Sequence, residues 1–419
     1  MNTTQLASKS NRSVRSKMQR DSEQVTRLPS WLNDNFLLEV IREAKNDPDI
    51  ALCHHCKFRS GSRLGENNAS VLFRTTVHHR SRQPPQEQAL DLMIKVEYRS
   101  AALRDRSLFG TEIRMYREIL PVMQNVLKQA RESLHVPRVF YTSEKPQGVL
   151  ILEDLYPAGW VGKDQIESLE DARPAIRTIA KFHAASWLLN QTGTQCSYFR
   201  NALMEINIAG ARRMFCNLYN SFTDSVGTWE DCAAIGARLQ AIKPDFESKL
   251  KQIYAPNPRY NVLNHGDFHA RNLLHKTDPA GGNPIVETAL IDFQICHWGS
   301  PAIDLMYLLD LVVARNVKYV ARENIIREYY TWFTNCLKRM SYRGWVPSWQ
   351  DLQSELQRCA FLELLHDAVF EQFRYVDLSQ VDVEEFFAGN VKNAGVNNER
   401  YRSLIREDLK QMLNRGVLD

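Results

Sequence analysis

An aspartate, an asparagine five residues on and a second aspartate twenty residues beyond that could together do phosphoryl-transfer chemistry. They stand as His265-Gly266-Asp267-Phe268-His269-Ala270-Arg271-Asn272 and Ile291-Asp292-Phe293. Moving a phosphoryl group asks a protein mainly for positioning and charge neutralisation, and this order of residue types suits that task. Asp267 is the candidate base. An ionised carboxylate only accepts hydrogen bonds, so it can orient a hydroxyl and take its proton. Mg2+ prefers oxygen ligands. The amide oxygen of Asn272 and the carboxylate of Asp292 are the candidate metal ligands. The plain alternative is that Asp267 caps a turn and Asn272 bonds the nearby backbone; three such residues in this order argue against it.

These side chains need elements to hold them. Val262-Leu263, Leu273-Leu274 and Ala289-Leu290-Ile291 read as short buried strands that would project the polar residues from their ends. Upstream, Leu92-Met93-Ile94-Lys95-Val96 reads as an apolar strand with one lysine in it. Burying Lys95 is expensive unless its charge is paired, and ATP phosphates together with a helix glutamate would pair it. Ile113, Tyr116 and Leu120 recur at helical spacing. Glu112 on that helix is the candidate partner and Glu118 the second choice; a solvated charged helix is the bland reading. Gly65, Asn67, Asn68, Ala69 and Ser70 form a small, polar turn ahead of the lysine strand. Such a turn can present backbone N–H groups to phosphates, although an ordinary hairpin turn looks similar. Val149 to Leu155 is a strand turning acidic at its end. In a kinase layout the backbone near Glu153 and Leu155 would hold adenine.

The stretch after Asp292 bears on the acceptor. No glycine follows Asp292-Phe293, no Ala-Pro-Glu appears, and only eleven residues separate Asp292 from Asp304. That leaves little room for a peptide platform and favours a small-molecule acceptor. Asp304 reads as a helix-start or loop-support residue. His183 reads as a packed structural histidine and His265 as a brace for the loop.

The chain resembles the ecdysteroid kinase-like family, which is similar to choline kinases and aminoglycoside phosphotransferases. The resemblance is carried by Gly65-Glu66-Asn67-Asn68-Ala69-Ser70, Phe109-x-x-Glu112-x-x-x-Tyr116, Val136 to Tyr141, Leu152-Glu153-Asp154-Leu155, Phe182-His183-Ala184, the His265–Asn272 segment, and Ile291-Asp292-Phe293-Gln294 with Ser300-Pro301-Ala302-x-Asp304-Leu305. Members commonly have an aromatic residue at the place of His269, and histidine there is more like the aminoglycoside group. The resemblance implies an α+β, two-lobed, protein-kinase-like fold: a small lobe with an antiparallel sheet and a helix, and a larger, mainly helical lobe. It implies ATP and Mg2+ as cofactors. The implied acceptor is a hydroxyl on a small molecule, an ecdysteroid or similar hydrophobic alcohol. A choline- or ethanolamine-type kinase and a pseudokinase binding module are the rival readings.

Composition bounds the rest. The formal charge of +4 comes from residues 1 to 20, which hold five Lys/Arg and no acid. The remainder is close to neutral, so nucleic acid is not an expected partner. Residues 1–28 read as a basic, disordered tail, with a targeting segment as the alternative. Residues 29–154 read as the smaller lobe and 155–419 as the larger, with Pro29-Ser30-Trp31 opening a helix. No run of about 18 apolar residues is present, so no membrane span is expected. Nor is an obligate protein partner evident. Eight cysteines without a secretory signal suggest free thiols and a cytoplasmic setting. Cys53-His54-His55-Cys56 looks like half a zinc site, but a closed site needs four ligands and no second Cys-x-x-Cys follows; completion by His78-His79 is the less favoured reading.

Overall fold

In the computed structural model, residues 28–61, 70–81, 86–97, 106–200, 209–278, 284–375 and 395–419 are described. The fold is α+β and divides into two compact units. Among described residues the smaller takes those up to 97 together with Arg138–Ala158; the larger takes 106–137 and most of the chain from Gly159 on.

The smaller unit is built on a six-stranded antiparallel sheet. Its strands are β1 (Ala51–Leu52), β2 (Arg59–Ser60), β3 (Ser70–Arg80), β4 (Glu87–Glu97), β5 (Val139–Ser143) and β6 (Val149–Glu153). The long β3 and β4 alternate: Phe73, Val77, Leu92 and Ile94 turn inward and their neighbours are more exposed. Helix α1 (Asp34–Lys45) closes the core with Leu37, Val40 and Ile41. It begins five residues later than Pro29, the start the sequence suggested. Pro29 instead accepts the Leu32 N–H in a turn, and Asn33 caps the helix by accepting the Phe36 N–H.

In the larger unit, α2 (Arg106–Arg114) runs through a π-helical turn, Met115–Ile119, into a helix over Leu120–Gln129. Helix α3 (Leu169–Gln191) is buried at 15 of its 23 residues, without a break from Thr178 to Trp187. Its start is fixed by Ser168, which accepts the Asp171 N–H. Two small sheets lie in this unit. One joins β7 (Val161–Gly162), β9 (Leu273–Thr277) and β10 (Ile285–Leu290); the other joins β8 (Val262–Asn264) and β11 (His297–Gly299). Thr178 on α3 donates to the Thr288 carbonyl and Ser186 accepts the Leu263 N–H, so one helix braces both sheets. Then come α4 (Ala302–Tyr307), α5 (Arg315–Arg339), α6 (Leu362–Leu365) and α7 (Glu399–Asn414). No helix among the described residues is long and apolar enough to cross a membrane.

Candidate active site

Strand β8 is buried at every position and pairs antiparallel with β11, His297 opposite Asn264. The chain then turns sharply at Gly266, whose φ is +83°. A Cβ there would lie 2.3 Å from the Ile295 carbonyl oxygen, so only glycine fits immediately before Asp267. His269 caps a single 3-10 turn, Ala270–Asn272, and β9 follows at once. Leu273 pairs with Leu290 of β10, and the Ile291 N–H reaches the Asn272 carbonyl at 3.2 Å. The hairpin thus carries Asn272 and Asp292 at the same end. Asp292 itself adopts a left-handed φ of +66°, unusual for a residue with a side chain.

Asp267 is held at both carboxylate oxygens. Asn272 Nδ2 donates to Oδ2 at 3.0 Å and to the Asp267 carbonyl at 3.0 Å. His269 Nε2 faces Oδ1 at 3.4 Å. The Arg271 N–H donates to His269 Nδ1 at 3.2 Å, so the ring hydrogen sits on Nε2, towards the carboxylate. Because the Asn272 nitrogen is spent on Asp267, its Oδ1 is the atom left to act as a ligand. Burial by itself raises the Asp267 carboxyl. The facing His269, then His265 and the Asn272 amide, outweigh burial and hold it below the usual carboxylate range. Burial lowers His269, but Asp267 outweighs that and lifts it above its ordinary value.

Behind the loop, Asp304 in the first turn of α4 is fully buried. It accepts the His265 N–H at 2.6 Å and the Gly266 N–H at 3.0 Å. Burial would raise its carboxyl, yet His183, His265 and these amides keep it low and ionised. His265 donates from Nε2 to the Ile291 carbonyl, tying the loop to the Asp292 turn. Its ring lies 5.1 Å from Phe293, and Phe293 in turn packs edge-on to Tyr116.

The remaining candidates fall as follows. Lys95 is buried on β4, opposite Leu72 and Leu150. Glu112 is buried on α2, whereas Glu118 is exposed and pairs with Arg114 at 3.0 Å. Ser70 opens β3 and is buried; Gly65, Asn67, Asn68 and Ala69 lie outside the described residues. At the end of β6 the Glu153 N–H is taken by the Arg138 carbonyl, and the Leu155 carbonyl accepts the Ala158 N–H. Of the zinc candidates, His55 bonds Asp34 and His78 bonds Glu87. No group of three or more metal-ligating side chains occurs among the described residues. The sequence reading did not find Ser186 or Tyr329. Ser186 stands one helical turn after His183, which is a usable signal; nothing local marks Tyr329.

The ecdysteroid kinase-like family model matches residues 64–342, well over half of the chain. The chain belongs to the ecdysteroid kinase-like family. No curated protein sequence matches this ecdysteroid kinase-like chain significantly. Among solved structures it is similar to a microcompartment-associated aminopropanol kinase, at 14% identity over 91% of this chain and 99% of that one, with a TM-score of 0.46. It is also similar to the macrolide 2'-phosphotransferase MphH of Brachybacterium faecium (14% identity, 79% and 92% covered, TM-score 0.37). A choline/ethanolamine kinase family protein of Mesorhizobium loti gives 13% identity, 83% and 90% covered, and a TM-score of 0.36.

Proposed function

We propose that this protein transfers the γ-phosphoryl group of ATP to a hydroxyl of a small molecule, an ecdysteroid or a similar hydrophobic alcohol. The observation that carries the reading is the fixed carboxylate of Asp267, oriented by Asn272 and His269 within the family's matched span. In this reading Asp267 orients the acceptor hydroxyl and takes its proton as the oxygen bonds to phosphorus. The β,γ-bridging bond breaks and ADP leaves. A carboxylate held this acidic is a weak base, which suits a loose transition state in which positioning matters most. The donor set fits magnesium: Asn272 Oδ1 and the Asp292 carboxylate are hard oxygens on one hairpin end. When bound, Mg2+ would neutralise phosphate charge. Lys95 and Glu112 would orient the phosphates, the turn from Gly65 to Ser70 would cover them, and backbone near Glu153 and Leu155 would hold adenine.

The test is mass spectrometry after incubation with Mg-ATP and a panel of ecdysone, other polyhydroxylated steroids, choline, ethanolamine and an aminoglycoside. A phosphorylated steroid, absent with Asp267→Asn, is the expected result. Phosphorylated choline would keep the chemistry and discard the steroid. Nucleotide binding with no product from any acceptor would favour a pseudokinase.

A further inference from the structure

Strands β3 and β4 have two faces. On one, Phe73, Val77, Leu92, Ile94 and Val96 are buried in the core of the smaller unit. Leu72 and Arg74 stand directly opposite Lys95 and Met93, so these four share the other face. Arg74 is thus one two-residue step, about 7 Å, beyond the Leu72–Lys95 pair. The same end of the sheet receives the chain as it leaves β6. There the Asp154 N–H donates to the Asp91 carbonyl at 3.0 Å, and the Asp154 side chain is 2% exposed. Asp154 Oδ1 accepts the Tyr156 N–H at 3.2 Å, while Oδ2 lies 3.6 Å from Arg74 Nε. The Arg74 guanidinium sits over the Tyr156 ring, 4.3 Å from its centre, and Tyr156 itself is 43% exposed. The Nε–H of Arg74 is buried and has no hydrogen-bond partner among the described residues.

We propose that Arg74 binds the purine base of ATP, its guanidinium lying against the face of the ring with Tyr156 stacked behind it. The inference rests on the reading above, in which Lys95 meets the phosphates and the backbone near Glu153 and Leu155 meets adenine. A nucleotide whose phosphates reach Lys95 carries its base one step further along the sheet, and the side chain met there is Arg74. A guanidinium is planar and weakly hydrated, and it stacks on aromatic rings. It has two faces, and Tyr156 covers one. A plain fastener between β3 and the end of β6 would spend its donors on Asp154 in a close bidentate pair. Here the approach is 3.6 Å, a charge contact longer than a hydrogen bond, and Nε–H is left over. Asp154 therefore keeps the guanidinium at this end of the sheet without consuming it. Backbone groups meet the edge of the base and Arg74 meets its face.

The test is isothermal titration calorimetry of the full chain with Mg-ATP and with magnesium tripolyphosphate, which carries the phosphates but no base. Arg74→Met keeps most of the side-chain length and loses the planar cation. It should weaken Mg-ATP by about tenfold and tripolyphosphate by less than about twofold. Tyr156→Leu should weaken Mg-ATP by about threefold with the same selectivity. Unchanged ATP affinity in Arg74→Met, or equal weakening of the two ligands, would overturn the proposal. Should Arg74→Met fail to fold, Tyr156→Leu carries the test, and unchanged ATP affinity in that variant overturns the idea. A native protein that binds no ATP sinks the kinase reading and this inference with it. Native binding that Arg74→Met leaves intact sinks this inference alone. Calorimetry needs no acceptor, so its outcome is separate from that of Asp267→Asn, which tests the base catalyst.

Discussion

Around Asp267 and Asp304 buried negative charge is met by amides and imidazoles, whereas around Arg315 and Lys318 it is met by opposite charge. Both regions belong to the larger unit. In the second, Arg315 contacts Asp408 (2.6 Å), Glu371 (3.1 Å) and Asp367 (3.5 Å). Lys318 contacts Asp310 (2.8 Å) and Glu363 (2.7 Å), and His366 closes on Asp310 at 2.7 Å. Burial would raise Asp310, but Lys318 and then His366 pull it far down. Asp367 goes the other way: burial and the Asp408 charge lift it well above the carboxylate range despite Arg315. Two π-helical turns, Leu308–Val312 and His366–Phe370, carry members of this cluster. The difference teaches what each is built for. A cluster closed by its own cations ties helices together. A loop held by backbone amides, imidazoles and the Asn272 side-chain amide is tied to its surroundings by hydrogen bonds instead.

The sharpest way to break the comparison is to neutralise one charge in each region. Asp292→Asn should reduce phosphoryl transfer by about 10²–10⁴-fold with the melting temperature little changed, as paired kinetic and thermal measurements would show. Lys318→Met should do the reverse. It leaves Asp310 with His366 and Glu363 with Arg415 as their remaining partners, at a cost of about 3 kcal/mol in urea unfolding. A large loss of transfer with no loss of stability in that variant would put the cluster in the site after all.

His275 on β9 sharpens the contrast, being a buried titratable group without a counter-ion in contact. Its Nδ1 meets Thr288 Oγ1 at 3.0 Å, and its Nε2 has no partner among the described residues. Burial, helped by the charge of Lys163, pushes it down to about 4. The depressed value means the fold favours the neutral ring. Its contribution is therefore complete above about pH 6.5 and is lost as pH falls from there to about 4, amounting to about 3 kcal/mol. His275→Gln should flatten that window in a series of unfolding curves. The smallest effect expected is that of Tyr401→Phe, which removes the 2.8 Å bond to the Asp367 carbonyl and should cost about 1 kcal/mol.

What the sequence made legible was local. The closeness of Asp267, Asn272 and Asp292 could be read because the loop and hairpin that hold them are short. Asp304 could be read as loop support because it opens the next helix. Tyr329 could not, since it meets His183 across 146 residues. Asp310 interrupts the otherwise apolar run from Leu305 to Ala314, and nothing near it in sequence marks its partners Lys318, Glu363 and His366, which come from other elements. Proximity in sequence groups the Glu112 helix with the strands on either side of it, yet that helix packs in the larger unit, where Tyr116 meets Phe293 at 5.6 Å. The π-helical turns shift the register of the helical pattern by one residue, and a 3.6-residue period does not reveal them.

The most direct measurement is ATP-dependent phosphorylation of the acceptor panel by the native protein and by Asp267→Asn, with the unfolding midpoint of each recorded. The account predicts a phosphorylated small molecule from the native protein, a rate lower by at least about a hundredfold in the variant, and matching midpoints. Transfer near the native rate by folded Asp267→Asn would contradict it.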